Sequence, residues 1–281
     1  MGSIGAYTPR HVDTELCFWR RPDTGRSVQI DFTKGKPEDN VKQMHVLDET
    51  HSVQVQDIRD ESSYTLDKSG FVYLSHEIPE LDRVSDGEFV RDSIIPKTEE
   101  LVRNVTGATR TITFAHRVRC LASDPSMLAD NRSPAHSVHS DFTPAGALHQ
   151  LETIVPDEKE RNRLLAGRVL VINVWRPLKL IQRDPLAVCD WSSLDIESEG
   201  IPNRITLPHG WNELGRYACS AKQRWCYLGG QQPSEPLVFT QFDSSKMEEG
   251  GTTVPHSAFV DPTYNDFAAR ESLEIKMFAF V

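Results

Sequence analysis

The sequence predicts a mostly β protein with flanking helices, and three observations carry that reading. Short stretches alternate apolar and polar residues with the period of two that sends successive side chains to opposite faces of a strand. Helical spacing is confined to the first two thirds of the chain. A set of potential metal ligands is split between mid-chain and C-terminus, as strands of one barrel would bring together. Periodicity alone supports only the mostly β class. The split ligand set points further, to a double-stranded β-helix, or jelly-roll barrel.

Residues 1–50 are polar and read as an irregular arm packed on a single domain spanning 1–281, with a turn at Arg20-Arg21-Pro22-Asp23-Thr24-Gly25. Val53 to Ile58 alternates as a strand, and Phe71 to Leu74 follows Gly70 as another. From Ser85 to Val105, Phe89, Val90, Leu101, Val102 and Val105 recur at helical spacing; Pro96 breaks or kinks the helix and Gly107 caps it. Thr111 to Arg119 alternates again, with Ile112, Phe114, His116 and Val118 on one face. Thr143-Pro144 starts a helix, because threonine can accept from the first turn and proline suits its first position. A charged helix follows over Pro156 to Leu165. Arg168 to Pro177 is an almost unbroken apolar run, read as a central strand that proline ends. Residues 178–222 give short strands and loops without clear order. Arg224 to Leu228, Leu237 to Phe242 and Ser272 to Val281 close the chain as strands.

With 31 basic and 41 acidic residues the formal charge is −10, which argues against nucleic acid or an anionic membrane surface as partner. No apolar run approaches the roughly 20 residues of a membrane span. Met1-Gly2-Ser3 opens no signal-peptide pattern, and Ala6 stands where myristoylation wants Ser or Thr. Five cysteines, odd in number and without CxxC spacing, read as reduced thiols of a cytoplasmic protein. In that compartment the glycosylation patterns at Asn104-Val105-Thr106 and Asn131-Arg132-Ser133 are incidental. The N-terminal arm could cover a barrel mouth or the interface of a homodimer.

His139 and Asp141 stand two apart, so on a strand they share one face. His256, in Val254-Pro255-His256-Ser257, supplies a second imidazole. Two histidines and one carboxylate form the facial arrangement that holds Fe(II) and leaves positions open. An HxD pair alone is weak in a chain with 10 histidines. Its strand-like setting, the distal His256 and a following Arg270-Glu271-Ser272 make it strong. Arg270 and Ser272 share a strand face and could grip a carboxylate together. Metal site and anion site in this order predict an Fe(II)/2-oxoglutarate oxygenase that uses O2 on a small-molecule substrate. The alternatives are a cupin-like metal enzyme that does not use 2-oxoglutarate, and a metal-binding barrel without turnover; in the cupin-like case Arg270 is structural.

His136 competes with His139 but lies three residues earlier and faces the other way, so it reads as a neighbour of the site or a surface residue. His116 reads as a core histidine, and His149 and His209 as structural. Asn173 and Trp175 share a face of the central strand and either meet the pocket or pack. Arg119 and Arg176 either bind an anionic substrate group or form structural ion pairs.

Several stretches together resemble a fungal and bacterial group of hydroxylase/desaturases that includes gibberellin desaturase-like proteins and relatives of a cephalosporin methoxylation component. The most distinctive are Asn173-Val174-Trp175-Arg176-Pro177 and Pro255-His256-Ser257-Ala258-Phe259, joined by His139-Ser140-Asp141-Phe142-Thr143 and Arg270-Glu271-Ser272-Leu273-Glu274. The resemblance runs from about residue 53 to the end and implies an Fe(II)/2-oxoglutarate enzyme of secondary metabolism. It implies His139, Asp141 and His256 as iron ligands and Arg270 as the cosubstrate arginine. Hydroxylation, desaturation and oxidative ring closure all occur among proteins of this kind, including aziridine closure on an amino acid. Ala115 departs from the acidic residue expected in that group.

Overall fold

A computed structural model of the chain describes residues 10–120, 134–249 and 252–281; the Met1-Gly2 terminus and the Asn131-Arg132-Ser133 pattern lie outside them. The alternating stretches pair into two sheets. Strands β1 (Val12–Trp19), β2 (Val28–Asp31), β3 (Asp48–Asp57), β4 (Phe71–Tyr73), β5 (Arg110–Cys120), β6 (His139–Ser140) and β7 (Val169–Pro177) precede β8 (Leu186–Cys189), β9 (Gly200–Leu207) and β10 (Gly210–Tyr217). The last four are β11 (Trp225–Tyr227), β12 (Leu237–Asp243), β13 (His256–Ala258) and β14 (Glu271–Phe280). One sheet has nine strands in the order β1-β3-β11-β8-β13-β6-β10-β9-β2, and the other five in the order β4-β12-β7-β14-β5. The larger sheet is mixed and curls, so that Cys17 of β1 bridges to Ser137 just before β6.

Strand β7 is the middle strand of the five, and all nine of its residues are buried. Its period of two divides the protein. Leu170, Ile172 and Val174, with Leu273, Ile275, Met277 and Ala279 of β14, pack under the helix Ile95–Thr106 through Val102 and under the turn before it through Ile94. Each of these side chains larger than alanine contributes about 1.5–3 kcal/mol when fully buried. The opposite face looks toward the nine-stranded sheet. There Trp175, Leu237 and Phe239 meet Leu186, Val188 and Val254. Further along, Val171, Phe242, Phe278 and Phe280 form a second apolar cluster with Phe142 and Leu151. Between the two clusters the same face carries polar residues.

Of the four longer helices, α1 spans Pro37–Gln43, α2 Ile95–Thr106, α3 Pro144–Ile154 and α4 Glu158–Leu165. Pro96 lies at the head of α2, and the helix reaches it through wide π turns over Val90–Ile94, a widening that accommodates a ring unable to donate. Gly107 ends α2 at φ 74°, a left-handed position that suits glycine. Thr143 caps α3 by accepting from the Gly146 amide. A Cβ on Gly146 would sit 2.2 Å from the Glu213 carbonyl oxygen of β10, so only glycine lets α3 seat against that strand. This contact sets where the chain leaves β6. No helix among the described residues is long and apolar enough to cross a membrane.

Two expectations are corrected. Residues 10–50 are not irregular: β1, β2, α1 and the start of β3 lie there, and Val12, Leu16 and Phe18 face the core while Asp13 and Glu15 face water. Strand β5 does not keep one alternation, because a bulge shifts its register between Ala115 and Thr113 against β14. Ile112 and Phe114 join the aromatic cluster, whereas beyond the bulge Val118 packs on the helix side and His116 is exposed, not core. The short strands expected over 178–222 are β8 and the β9–β10 hairpin.

Candidate metal centre

Strand β13 runs antiparallel beside β6 with His256 directly opposite His139. Their ring centroids are 4.4 Å apart, and Phe239 presses edge-on against His256 at 5.0 Å. The Nδ1 of His139 lies 2.8 Å from the Ser137 carbonyl, and that of His256 lies 3.2 Å from the Val254 carbonyl. Nδ1–H donates in each case, which fixes the tautomer and leaves the Nε2 lone pair for a metal. Burial, reinforced for His139 by its neighbour His256, pushes both imidazoles below their usual pKa. Both are neutral at pH 7, the form a metal needs.

Asp141 reaches the histidines by another route. Strand β6 ends at Ser140, so Asp141 is not the strand neighbour that its spacing suggested. Its backbone N–H donates to Gln241 Oε1 at 2.6 Å. Its Oδ2 accepts from Asn173 Nδ2 at 3.0 Å, and its Oδ1 from Lys276 Nζ at 2.7 Å. Asn173 and Lys276 are directly opposite each other on β7 and β14. Burial pushes the Asp141 carboxyl up, but Lys276 and the two histidines outweigh it and hold the group below the usual carboxylate range. One ligand atom from each of His139, Asp141 and His256 lies within 4.8 Å of the others. Two neutral nitrogens and one anionic oxygen on one side suit Fe(II) and leave room for further ligands.

A narrow cleft opens beside this triad, lined by His139, His256, Trp175, Arg270, Arg119 and Glu274 among others. Arg270 is 4% exposed. Its Nη1 donates to the Asp184 carbonyl at 2.6 Å and its guanidinium lies 5.2 Å from the Trp175 ring centre. Burial, then the nearby Arg119, lowers its pKa to about 10. The Nε of Arg270 and the Oγ of Ser272 are both buried without a hydrogen-bond partner. Buried donors are normally satisfied, and an organic carboxylate would satisfy these two. The residues present thus fit 2-oxoglutarate as well as iron.

Four residues named from sequence fall out differently. Asn173 and Trp175 both line the cleft. Arg119 lines it too but is ion-paired, with Nη2 3.2 Å from Glu274 Oε1. Arg176 is corrected: it points to the helix side of β7 and donates to the carbonyls of His76 and Pro233 at 2.7 and 2.8 Å, tying two loops together. His136 is exposed, with Asp184 3.7 Å away. His149 stacks on Trp211 with centroids 4.0 Å apart, a structural role. Sequence reading missed Lys276 and Gln241. Lys276 could have been found by extending the Arg270–Ser272 alternation along β14, since Ser272, Glu274 and Lys276 share a face.

The chain matches the family described as oxidoreductase/YMDC permease-like domain over residues 16–280. It is similar to the hydroxylase/desaturase efuI of Hormonema carpetanum, 31% identical over 253 residues that cover 82% of this chain and 84% of that protein. It is similar also to the alpha-ketoglutarate-dependent dioxygenase phiK of a fungal species, 30% identical over 231 residues, 80% of this chain and 82% of that one. Among solved structures, a variant of the iron and alpha-ketoglutarate-dependent endoperoxidase NvfI superposes with a TM-score of 0.80 at 25% identity, covering 99% of each chain.

Proposed function

The chain belongs to the oxidoreductase family of these hydroxylase/desaturases and α-ketoglutarate-dependent dioxygenases, and we propose that His139, Asp141 and His256 hold the iron of its reaction. It is an Fe(II)/2-oxoglutarate-dependent oxygenase of secondary metabolism whose cofactors are Fe(II), 2-oxoglutarate and O2. The observation that carries the assignment is the convergence of the three ligand atoms within 4.8 Å, beside a buried arginine with an orphaned N–H. Two facing sheets with the polar centre between them support a double-stranded β-helix barrel around the site.

Arg270 and Ser272 receive the far carboxylate of 2-oxoglutarate, and Trp175 supports the guanidinium from one side. Asn173 and Lys276 hold the Asp141 carboxylate in place from the opposite sheet. Leu186 and Phe239 keep the cleft wall apolar and exclude water. Iron, cosubstrate and O2 supply the oxidising power that removes hydrogen from a substrate carbon. The protein decides which carbon, and so whether hydroxylation, desaturation or ring closure follows. The substrate is a small metabolite of the cytoplasm. A cupin-like enzyme without 2-oxoglutarate gives Arg270 Nε and Ser272 Oγ no partner, so these orphaned atoms favour the oxygenase.

The test is His139→Ala. The parent, given Fe(II) and O2, should convert 2-oxoglutarate to succinate and CO2 at a slow uncoupled rate. The variant should lose both bound iron and that turnover. A variant that binds iron and consumes 2-oxoglutarate as the parent does contradicts the ligand assignment.

A further inference from the structure

The row of cross-strand neighbours that carries the two histidines continues by one strand. Arg216 of β10 stands opposite His139 on one side, as His256 does on the other, so all three side chains share a sheet face. Arg216 is 9% exposed. Its Nη1 donates to Ser137 Oγ at 2.7 Å, and its guanidinium lies 5.0 Å from the Trp19 ring centre. Its Nε is buried with no hydrogen-bond partner.

The other arginines near the barrel interior are accounted for. Arg119 has Glu274, Arg168 has Asp243, Arg176 has backbone carbonyls, and the open edge of Arg270 is the one assigned above to 2-oxoglutarate. Arg216 has no carboxylate in salt-bridge range among the described residues. The acid whose charge it feels, Asp48, already accepts from Trp19 Nε1 at 2.9 Å and faces His45 Nδ1 at 2.7 Å. A buried guanidinium is normally paired, because leaving water without a counter-charge is costly. Ser137 occupies Nη1, which leaves the Nε–Nη2 edge, the edge that takes both oxygens of a carboxylate in parallel.

We infer that Arg216 receives a carboxylate of the substrate beside the iron. This rests on the oxygenase reading and narrows its substrate to small organic acids. The cosubstrate is not the anion in question. The cleft with Arg270 is lined by both histidines but not by Arg216, which lies past His139 on the far flank. A protein of formal charge −10 also needs such a local cation to draw in an anionic substrate.

The experiment uses the holoenzyme, loaded anaerobically with Fe(II) and saturating 2-oxoglutarate. Benzoate and its neutral isostere benzamide are titrated in turn, and the perturbation of the metal-to-cosubstrate absorption band is followed. Benzoate should act at about tenfold lower concentration than benzamide, the worth of one charge-assisted contact. Arg216→Met should abolish that preference and leave the 2-oxoglutarate requirement unchanged. Arg216→Lys, which keeps the cation and loses the fork, should retain part of the preference and guards against a folding defect in the methionine variant. Equal action of the two probes on the parent, or a preference that survives Arg216→Met, overturns the assignment while the oxygenase stands. A tenfold rise in the 2-oxoglutarate requirement of Arg216→Met gives the carboxylate to the cosubstrate and also overturns it. A parent with no absorption band contradicts the oxygenase reading itself, and the substrate assignment with it.

Discussion

His139 and His256 are each oriented by a carbonyl two residues earlier in the chain, whereas Asp141 is oriented by side chains from three strands of the opposite sheet. The histidine half is local. It needs β6 and β13 paired in one register and little else. The carboxylate half is assembled at a distance: Asn173 on β7, Gln241 on β12 and Lys276 on β14 must all arrive together. A fault in either sheet should therefore show differently. Loss of a histidine removes a ligand from an intact frame. Loss of a clamp residue leaves the ligand present but unsupported, in a protein that is itself less stable.

The largest effect is expected from His256→Ala. Bound iron, measured by elemental analysis, and succinate formation should both vanish, with the fold retained. Retained iron would show that the histidine half is not a ligand set at all.

Next comes Lys276→Met, which leaves a buried carboxylate with one side-chain donor. Breaking such a pair costs about 3 kcal/mol, read as a lower Tm for protein held in chelator. The pH dependence has a definite sign. In the parent the folded-state pKa of Asp141 is depressed, so its contribution is present above the unfolded value of about 3.9 and is lost only as pH falls below it. In the variant the strongest counterweight to burial is gone, so the carboxyl titrates higher than in the parent and protonation on acidification relieves part of the penalty. The Tm gap between variant and parent should narrow from pH 7 to pH 5. A constant gap would remove the ion pair as its cause.

Arg270→Ala should raise the 2-oxoglutarate concentration needed for half-saturation by about 100-fold, the worth of two charge-assisted bonds. Iron affinity should be unchanged. An equal loss of both would mean that Arg270 supports the fold and not the cosubstrate. The smallest effect at the centre belongs to Arg176→Met. That side chain lies on the far face of β7, so Tm should fall while iron and 2-oxoglutarate binding stay within about twofold of the parent.

The same division decides how much could be read from sequence. The histidines and Arg270 sit in short stretches whose spacing carries their chemistry, and β7 announces itself as an apolar run. Lys276 and Arg216 are charges within strands, and a charge in a strand looks like a solvent-facing residue until the opposite sheet is in place. Strand β1 is harder to read because Thr14 interrupts the apolar face of Val12, Leu16 and Phe18. The face assignment of β5 failed at a bulge, which alternation cannot foresee. Asp141 was found for a reason the structure does not support. Its carboxylate joins the histidines through partners 32 and 135 residues away, not through a shared strand face.

One experiment reaches both halves at once: anaerobic visible absorption of the metal-free protein on adding Fe(II) and then 2-oxoglutarate. A charge-transfer band that appears only with both, and is absent from Asp141→Ala, is the predicted result; it requires iron at the junction of the two sheets with the cosubstrate chelated there. Tight Fe(II) binding without any band would contradict it and leave a metal site that does not use 2-oxoglutarate.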